Sequence, residues 1–422
     1  MFSEQMYELG SKRSVIRELF EYGRKRAGEI GADNVYDFTL GNPSIPAPEC
    51  VKDTIQYLID SLDPVLLHGY TSAPGDLSVR KAIADYTNET HKTNISASNI
   101  YMTSGAAASL SICIRALTEN KSCSPGLVCP PKQHLCHSEL REESLTNIDE
   151  FITFAPFFPE YKVFVESAGA KFTFIPPKED FQIDTDNFAR TLSSNTKAVI
   201  INSPNNPSGV VYSEQSIITL CGILKKKSEE YGHPIYLIAD EPYRELVYNN
   251  TYVPYLLNYY DNTFVCYSYS KSLSLPGERI GYIIVSDKMQ DSEKVYLAVC
   301  GAGRSLGYVC ASSMYQQVIA KCLGQTSDIS LYKENRDILY NGLTELGYNC
   351  VKPDGAFYLF VKSPEPDANL FCEKAKNYEL LLVPGDDFGC PGYVRIAYCV
   401  KKEQIIKSMP AFETLMKKYI WF

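Results

Sequence analysis

The sequence predicts an α/β protein: a large domain on a mostly parallel sheet flanked by helices, plus a smaller α+β domain. Three observations carry this. The short apolar runs AVIINSP, IYLIADE and FVCYSYS each end in polar residues, and a helix-like segment from about Ser213 to Glu230 separates the first two. Strands alternating with helices imply parallel pairing with both sheet faces covered. After about Ala302 the pattern changes to a long helical stretch, Ala311 to Leu346, and then to the strand pair GYNCVKPDGAFYLFVKS with its Pro-Asp-Gly turn. Finally, 422 residues, 45% of them apolar, can bury enough core for two domains. The large domain is expected at 55–325, with an insertion at about 121–146, and the small one at 1–54 and 326–422.

Composition narrows the function. A net charge of −9 without a basic stripe argues against a phosphate-tracking surface, so no nucleic-acid partner is expected. No run approaches the ~18 uninterrupted apolar residues of a membrane span, and the opening MFSEQMYELGSKR has no apolar targeting region. A cytoplasmic location without membrane contact is the expectation. Fourteen cysteines are scattered without C-x-x-C pairs, and several, such as Cys113, Cys266 and Cys399, lie in apolar runs, as suits reduced and packed thiols. Cys123, Cys129 and Cys136 are spaced without a His pattern, so no metal site is expected.

Taken in order, VIRELFEYGRKRAGEI has the spacing of an amphipathic helix from about Ser14 to Ala32. YDFTLGNPSIPAP is an extended segment that turns into a loop at Gly41, Asn42 and Pro43. In HGYTSAPGDLSVRKAIADY a turn precedes a helix with Leu77, Val79, Ile83 and Ala84 as its apolar residues; Tyr70 stands before it, and a lone tyrosine most often packs in a core. NIYMTSGAAASLSICIRAL reads as strand, glycine turn, helix. Its Ser104, Gly105, Ala106 and Ala107 either aim free amide groups at an anion or make an ordinary strand-to-helix turn. It is neither a P-loop nor a dinucleotide fingerprint, because Gly-Lys-Ser/Thr and G-x-G-x-x-G are both absent. The stretch 120–147, with prolines, charges and no sustained period, reads as a surface insertion.

The chain is organised around FVCYSYSKSLSLPGERIGYI, residues 264–283. Lys271 stands just past a buried strand, with Ser268 and Ser270 three and one residues before it and Arg279 eight after it. An amine so placed is a nucleophile toward an aldehyde, and two hydroxyls with a guanidinium supply donors for a dianion. The alternative is a solvated loop lysine. Asp240 ends IYLIADE, where a buried carboxylate needs a cationic partner or caps a helix. Arg395 alternates with Val394 and Ile396, which reads as a strand residue facing solvent.

The pattern S-x-S-K followed eight residues on by R-x-G, together with N-P-x-G at Asn206, D-x-x-Y at Asp240 and Tyr243, Pro-x-aromatic-Pro at Phe158 and V-R-I at Arg395, resembles the class I and II aminotransferases. Within them it resembles the prokaryotic aspartate aminotransferase subgroup, and the resemblance runs from near Leu40 to near Tyr398. It implies fold type I, with a seven-stranded sheet in the large domain, and pyridoxal 5′-phosphate as cofactor. It implies that Lys271 holds the cofactor and then moves the Cα proton, that Asp240 pairs with the pyridine nitrogen, and that Asn206 and Tyr243 donate to the phenolic oxygen. Phe158 would stack on the ring. Ser104 to Ala107, Ser268, Ser270 and Arg279 would hold the phosphate, with Tyr70 reaching across a homodimer to the neighbouring subunit's phosphate. Gly41 and Arg395 would meet the substrate α-carboxylate, and Asn206 would also contact the substrate. Ala107 stands where the subgroup commonly has a lysine for a distal carboxylate, which weakens aspartate specificity and leaves open alanine, aromatic or broad-range donors, as well as a dicarboxylate donor held by another cation such as an arginine of the partner chain. A carbon–sulfur β-lyase on the same scaffold is the alternative activity, and a non-catalytic cofactor-binding regulatory module is a further one.

Overall fold

The computed structural model describes residues 2–11, 15–119 and 148–419. The insertion expected at 121–146, with Cys123, Cys129 and Cys136, lies outside them. The first amphipathic segment forms the helix Val15–Ile30, and Gly31, at φ +89°, ends it in a conformation that L side chains rarely adopt. The chain then enters the short strand β1 (Tyr36–Asp37).

Seven strands build the central sheet: β2 (Ile100–Thr103), β3 (Glu150–Phe154), β4 (Lys171–Ile175), β5 (Thr196–Asn202), β6 (Tyr236–Asp240), β7 (Thr263–Ser268) and β8 (Gly281–Val285), in the order β2-β8-β7-β6-β5-β3-β4. All neighbours are parallel except β8, which runs antiparallel to both of its partners. Both faces are apolar. Val199, Ile201, Leu237, Ala239 and Val265 pack into one cluster, and the alternate residues Ala198, Ile200, Ile238, Phe264 and Cys266 into another. The register sets Asn202 opposite Asp240 and Asp240 opposite Cys266, so polar residues at the carboxyl ends of β5, β6 and β7 reach one edge together.

A second, antiparallel sheet holds β9 (Asn349–Cys350), β10 (Tyr358–Lys362), β12 (Val383–Pro384) and β13 (Tyr393–Ala397) in the order β12-β13-β10-β9, while β11 (Leu380–Leu381) pairs in parallel with β1. Its core of Phe38, Tyr332, Leu339, Phe357, Ile396 and Phe412 also takes in Tyr243, Leu246 and Tyr248 from the loop after β6. That loop therefore bolts the two sheets together beside the carboxyl edge.

Three local expectations are corrected. The stretch Ala311 to Leu346 is two helices, Ser313–Lys321 and Ile329–Glu345, because Gly324 turns at φ +78° and the Asp328 side chain caps the second one. Leu77 is 66% exposed at the start of helix Leu77–His91, whose core face is Val79, Ile83, Ala84 and Thr87. Arg395 is 3% exposed rather than solvent-facing, because both sides of β13 are covered.

Candidate active site

The edge where β5, β6 and β7 end forms the floor of a cavity of about 310 Å³, lined among others by Asn206, Asp240, Tyr243, Ser268, Ser270 and Lys271. The second sheet closes it with Tyr358 and Arg395, and helix Val15–Ile30 contributes Ile16. Each group is held by a traceable contact. The Asn202 amide donates to the backbone carbonyl of Asp240 at 2.9 Å and its oxygen accepts the Asn206 backbone N–H at 2.7 Å, which ties two strand ends to the following loop. Ser268 caps the short helix Tyr269–Ser272, placing Lys271 one turn past the strand.

The Lys271 amine donates to the Gly41 carbonyl at 2.6 Å and lies 5.4 Å from the centre of the Phe357 ring. Desolvation lowers it from the usual 10.5 to about 8, with repulsion from Arg279 and Arg395 adding to the effect. Asp240 is 4% exposed; one carboxylate oxygen accepts the Tyr161 hydroxyl at 2.5 Å, while Oδ1 is buried without a partner. Burial raises this carboxyl from 3.8 to about 7, against the Tyr161 hydrogen bond, which lowers it. Arg395 donates to the Thr39 carbonyl at 2.6 Å and to Asn206 Oδ1 at 3.2 Å, lies over the rings of Tyr358 and Phe388, and leaves its Nε without a partner. Asn206 thus spends its oxygen on Arg395 and keeps its amide NH₂ as a donor. The Tyr243 hydroxyl pairs with that of Tyr358 at 3.0 Å.

At the opposite end, Ser268 and Ser270 hydroxyls lie 2.7 Å apart, and the Arg279 guanidinium donates to Ser270 at 3.4 Å. Gly105 takes φ +91° as the N-cap of helix Ala106–Leu117, and a Cβ there would stand 2.8 Å from Arg279 Nη2, so a side chain would intrude between the helix start and the guanidinium. Ala106 and Ala107 line the cavity, whereas Ser104 and Gly105 form the turn behind them. A hydroxyl pair, a guanidinium and a bare helix N-terminus make a dianion seat.

Of the residues singled out in the sequence, the cavity gathers Gly41, Ala106, Ala107, Phe158, Asn206, Asp240, Tyr243, Ser268, Ser270, Lys271, Arg279 and Arg395. Gly41 meets the site through its carbonyl and by leaving room for the Tyr358 ring, which a Cβ would strike. Tyr70 is 94% exposed and does not line the cavity. Sequence reasoning missed Tyr161, Asn202, Tyr358 and Ile16. Asn202 carries the same signal as Asp240, a polar residue closing a buried strand, but nothing local marks the other three.

An amine of lowered pKa, a half-partnered buried carboxylate and a dianion seat, all at the carboxyl edge of an open parallel sheet, define an enzyme built to hold a phosphorylated aldehyde with a basic ring. Comparison with known proteins agrees. The model of the family "Aminotransferase class I and II" matches residues 33–409. The chain is 58% identical to an aminotransferase from Eubacterium rectale of known crystal structure, with a TM-score of 0.92 over 100% of this chain and 99% of that one. It is 29% identical to the aspartate aminotransferase of Thermotoga maritima over 91% of this chain and 92% of the relative, and 25% identical to aromatic-amino-acid aminotransferase 2 of Thermococcus litoralis over 96% of each. The chain belongs to the class I and II aminotransferases. It is a pyridoxal-phosphate-dependent transaminase of fold type I, acting on amino acids and 2-oxo acids. The residues present fit that cofactor: the orphaned Asp240 Oδ1 suits a protonated ring nitrogen, and the seat beside Gly105 suits a phosphate. Among the described residues no helix is long and apolar enough to cross a membrane.

Proposed function

We propose that Lys271 carries the cofactor and moves the substrate's Cα proton, and that the preferred amino donor has a non-acidic side chain. The observation behind the first part is the meeting of Lys271, Asp240 and the anion seat in a single cavity. When bound, pyridoxal phosphate supplies an electron sink for the negative charge that develops at Cα. An amine near 8 is partly unprotonated at neutral pH, which suits Lys271 to accept and return that proton. Asp240 provides the anion for the ring nitrogen, and Asn206 and Tyr243 provide donors for the phenolic oxygen. Phe158 covers the ring. The amide groups of the Ser104–Ala107 turn, with Ser268, Ser270 and Arg279, hold the phosphate. Arg395 grips the substrate carboxylate beside Gly41, with a fork that lysine does not reproduce.

The donor preference rests on the rest of the lining. Ile16, Ala107, Leu110 and Phe158 are apolar, and the only cations lining the cavity among the described residues, Lys271, Arg279 and Arg395, already have partners in this scheme. Within this chain's described lining, the distal carboxylate of an acidic donor would find no further cation to pair with. A homodimer is part of the proposal: Val65 and Leu66, 79% and 77% exposed, precede the exposed Tyr70 closely in the chain, and a second copy covering these apolar side chains would bring Tyr70 to the partner's phosphate. A cytoplasmic location is supported by the described cysteines, all of which are free thiols. The test is a panel of amino acids with 2-oxoglutarate or pyruvate. Alanine or aromatic donors should exceed aspartate in kcat/KM by at least about tenfold; dominant aspartate turnover would overturn the donor assignment. Release of pyruvate, ammonia and thiol from cystathionine without an oxo acid would mark a β-lyase instead.

A further inference from the structure

We propose that Tyr161 is a positioning residue for Asp240: by engaging one carboxylate oxygen it keeps the carboxylate ionised and turns the other oxygen toward the cofactor's ring nitrogen. The inference deepens, and rests on, the role proposed for Asp240. Tyr161 stands in the first turn of helix Glu160–Ser167, fully buried, and its hydroxyl donates to Asp240 Oδ2 at 2.5 Å. Its ring also meets Phe158 edge-on at 5.7 Å and 86°, so one side chain supports both the carboxylate and the aromatic lining.

The surroundings leave this hydroxyl as the one side-chain donor to the Asp240 carboxylate among the described residues. Asp240 feels the charge of Glu241, the first residue past β6, and stands near Cys266 across the register on β7 and Tyr243 on the following loop. Glu241 is bound to Arg244, the Cys266 thiol lies against Cys113, and the Tyr243 hydroxyl is taken by Tyr358. Lys271, Arg279 and Arg395 line the same cavity, but none is bonded to the carboxylate. A hydrogen bond to an ionised carboxylate favours the charged form, so its loss weakens the anion that faces the ring nitrogen. It also frees the carboxyl to rotate.

The experiment compares wild type, Tyr161→Phe and Asp240→Asn as holoenzymes, by the pH midpoint of the visible absorbance and by kcat and KM. Each is then repeated with a cofactor analogue in which carbon replaces the ring nitrogen. Phenylalanine keeps the ring packing, and a thermal melt checks that the fold survives. With the natural cofactor, Tyr161→Phe should raise the midpoint by about one pH unit, because a less firmly protonated ring nitrogen repels a second proton less. It should also lower kcat about tenfold with KM nearly unchanged. With the carbon analogue both differences should vanish. If Tyr161→Phe matches wild type on the natural cofactor, or loses as much on the analogue, the positioning role is overturned while that of Asp240 stands. If Asp240→Asn itself changes nothing, both fall.

Discussion

Two buried carboxylates stand side by side in the chain, and the structure treats them in opposite ways. Glu241 is 3% exposed and fully matched: it accepts Arg244 Nε at 2.6 Å and Arg244 Nη2, while Arg244 also donates to the carbonyls of Val253 and Pro254 and lies over Tyr255. His91 stacks on the same Tyr255 at 3.9 Å, and burial, with repulsion from Arg244, lowers its imidazole to about 4. Asp240 is just as buried but has one hydroxyl partner and an orphaned oxygen. A charge that holds the fold is paired within the chain. A charge that waits for a ligand is left half-paired, and its neighbour Lys271 likewise has a single carbonyl for its three donors.

The largest effect should separate these regions by activity. Lys271→Ala should lower transamination by about 10³-fold or more and abolish the bound-cofactor absorbance, with the melting temperature nearly unchanged; a variant that kept the band would refute the lysine assignment. Arg244→Met should do the reverse. Leaving Glu241 buried and unpaired should lower unfolding free energy by about 3–5 kcal/mol in a denaturant titration, with kcat/KM of the folded protein within a few fold of wild type. Large activity loss without destabilisation would erase the distinction drawn between the two sites.

The smallest effect is read in the cofactor-free protein as a function of pH. Asp240 titrates near 7 in the fold, against 3.8 for the unfolded value. Between these the folded state holds a proton that the unfolded state lacks, so stability falls as pH rises through this window, by up to roughly 4 kcal/mol. Lys271, at about 8 in the fold against 10.5, acts in the other direction above pH 8: the unfolded state binds more protons there, and stability rises. Urea midpoints for Asp240→Asn should lose the decline between pH 4 and 7, and an unaltered slope would show that burial does not raise this carboxyl.

Legibility in the sequence followed the range of the interactions. β5, β6 and β7 announced themselves as apolar runs with polar ends, because burial on both faces leaves no alternation to blur them. The Lys271 segment could be picked out because its serines, lysine and arginine lie within a dozen residues. Gly324, by contrast, was hidden inside a helical pattern, since one residue in a left-handed turn barely alters periodicity. The solvent-facing reading of Arg395 fails because alternation tells which residues share a face, not whether the other face is covered.

Sequence alone thus determined the class of sheet, the order of the strand ends and the kinds of group they carry, all of which follow from patterns a few residues long. Tertiary structure decided the partners. Lys271 meets Gly41 across 230 positions, Arg395 meets Thr39 across 356, and Tyr161 meets Asp240 across 79. Such contacts are set by how two sheets pack and in what register, and no local pattern encodes which oxygen of a buried carboxylate is left without a proton donor.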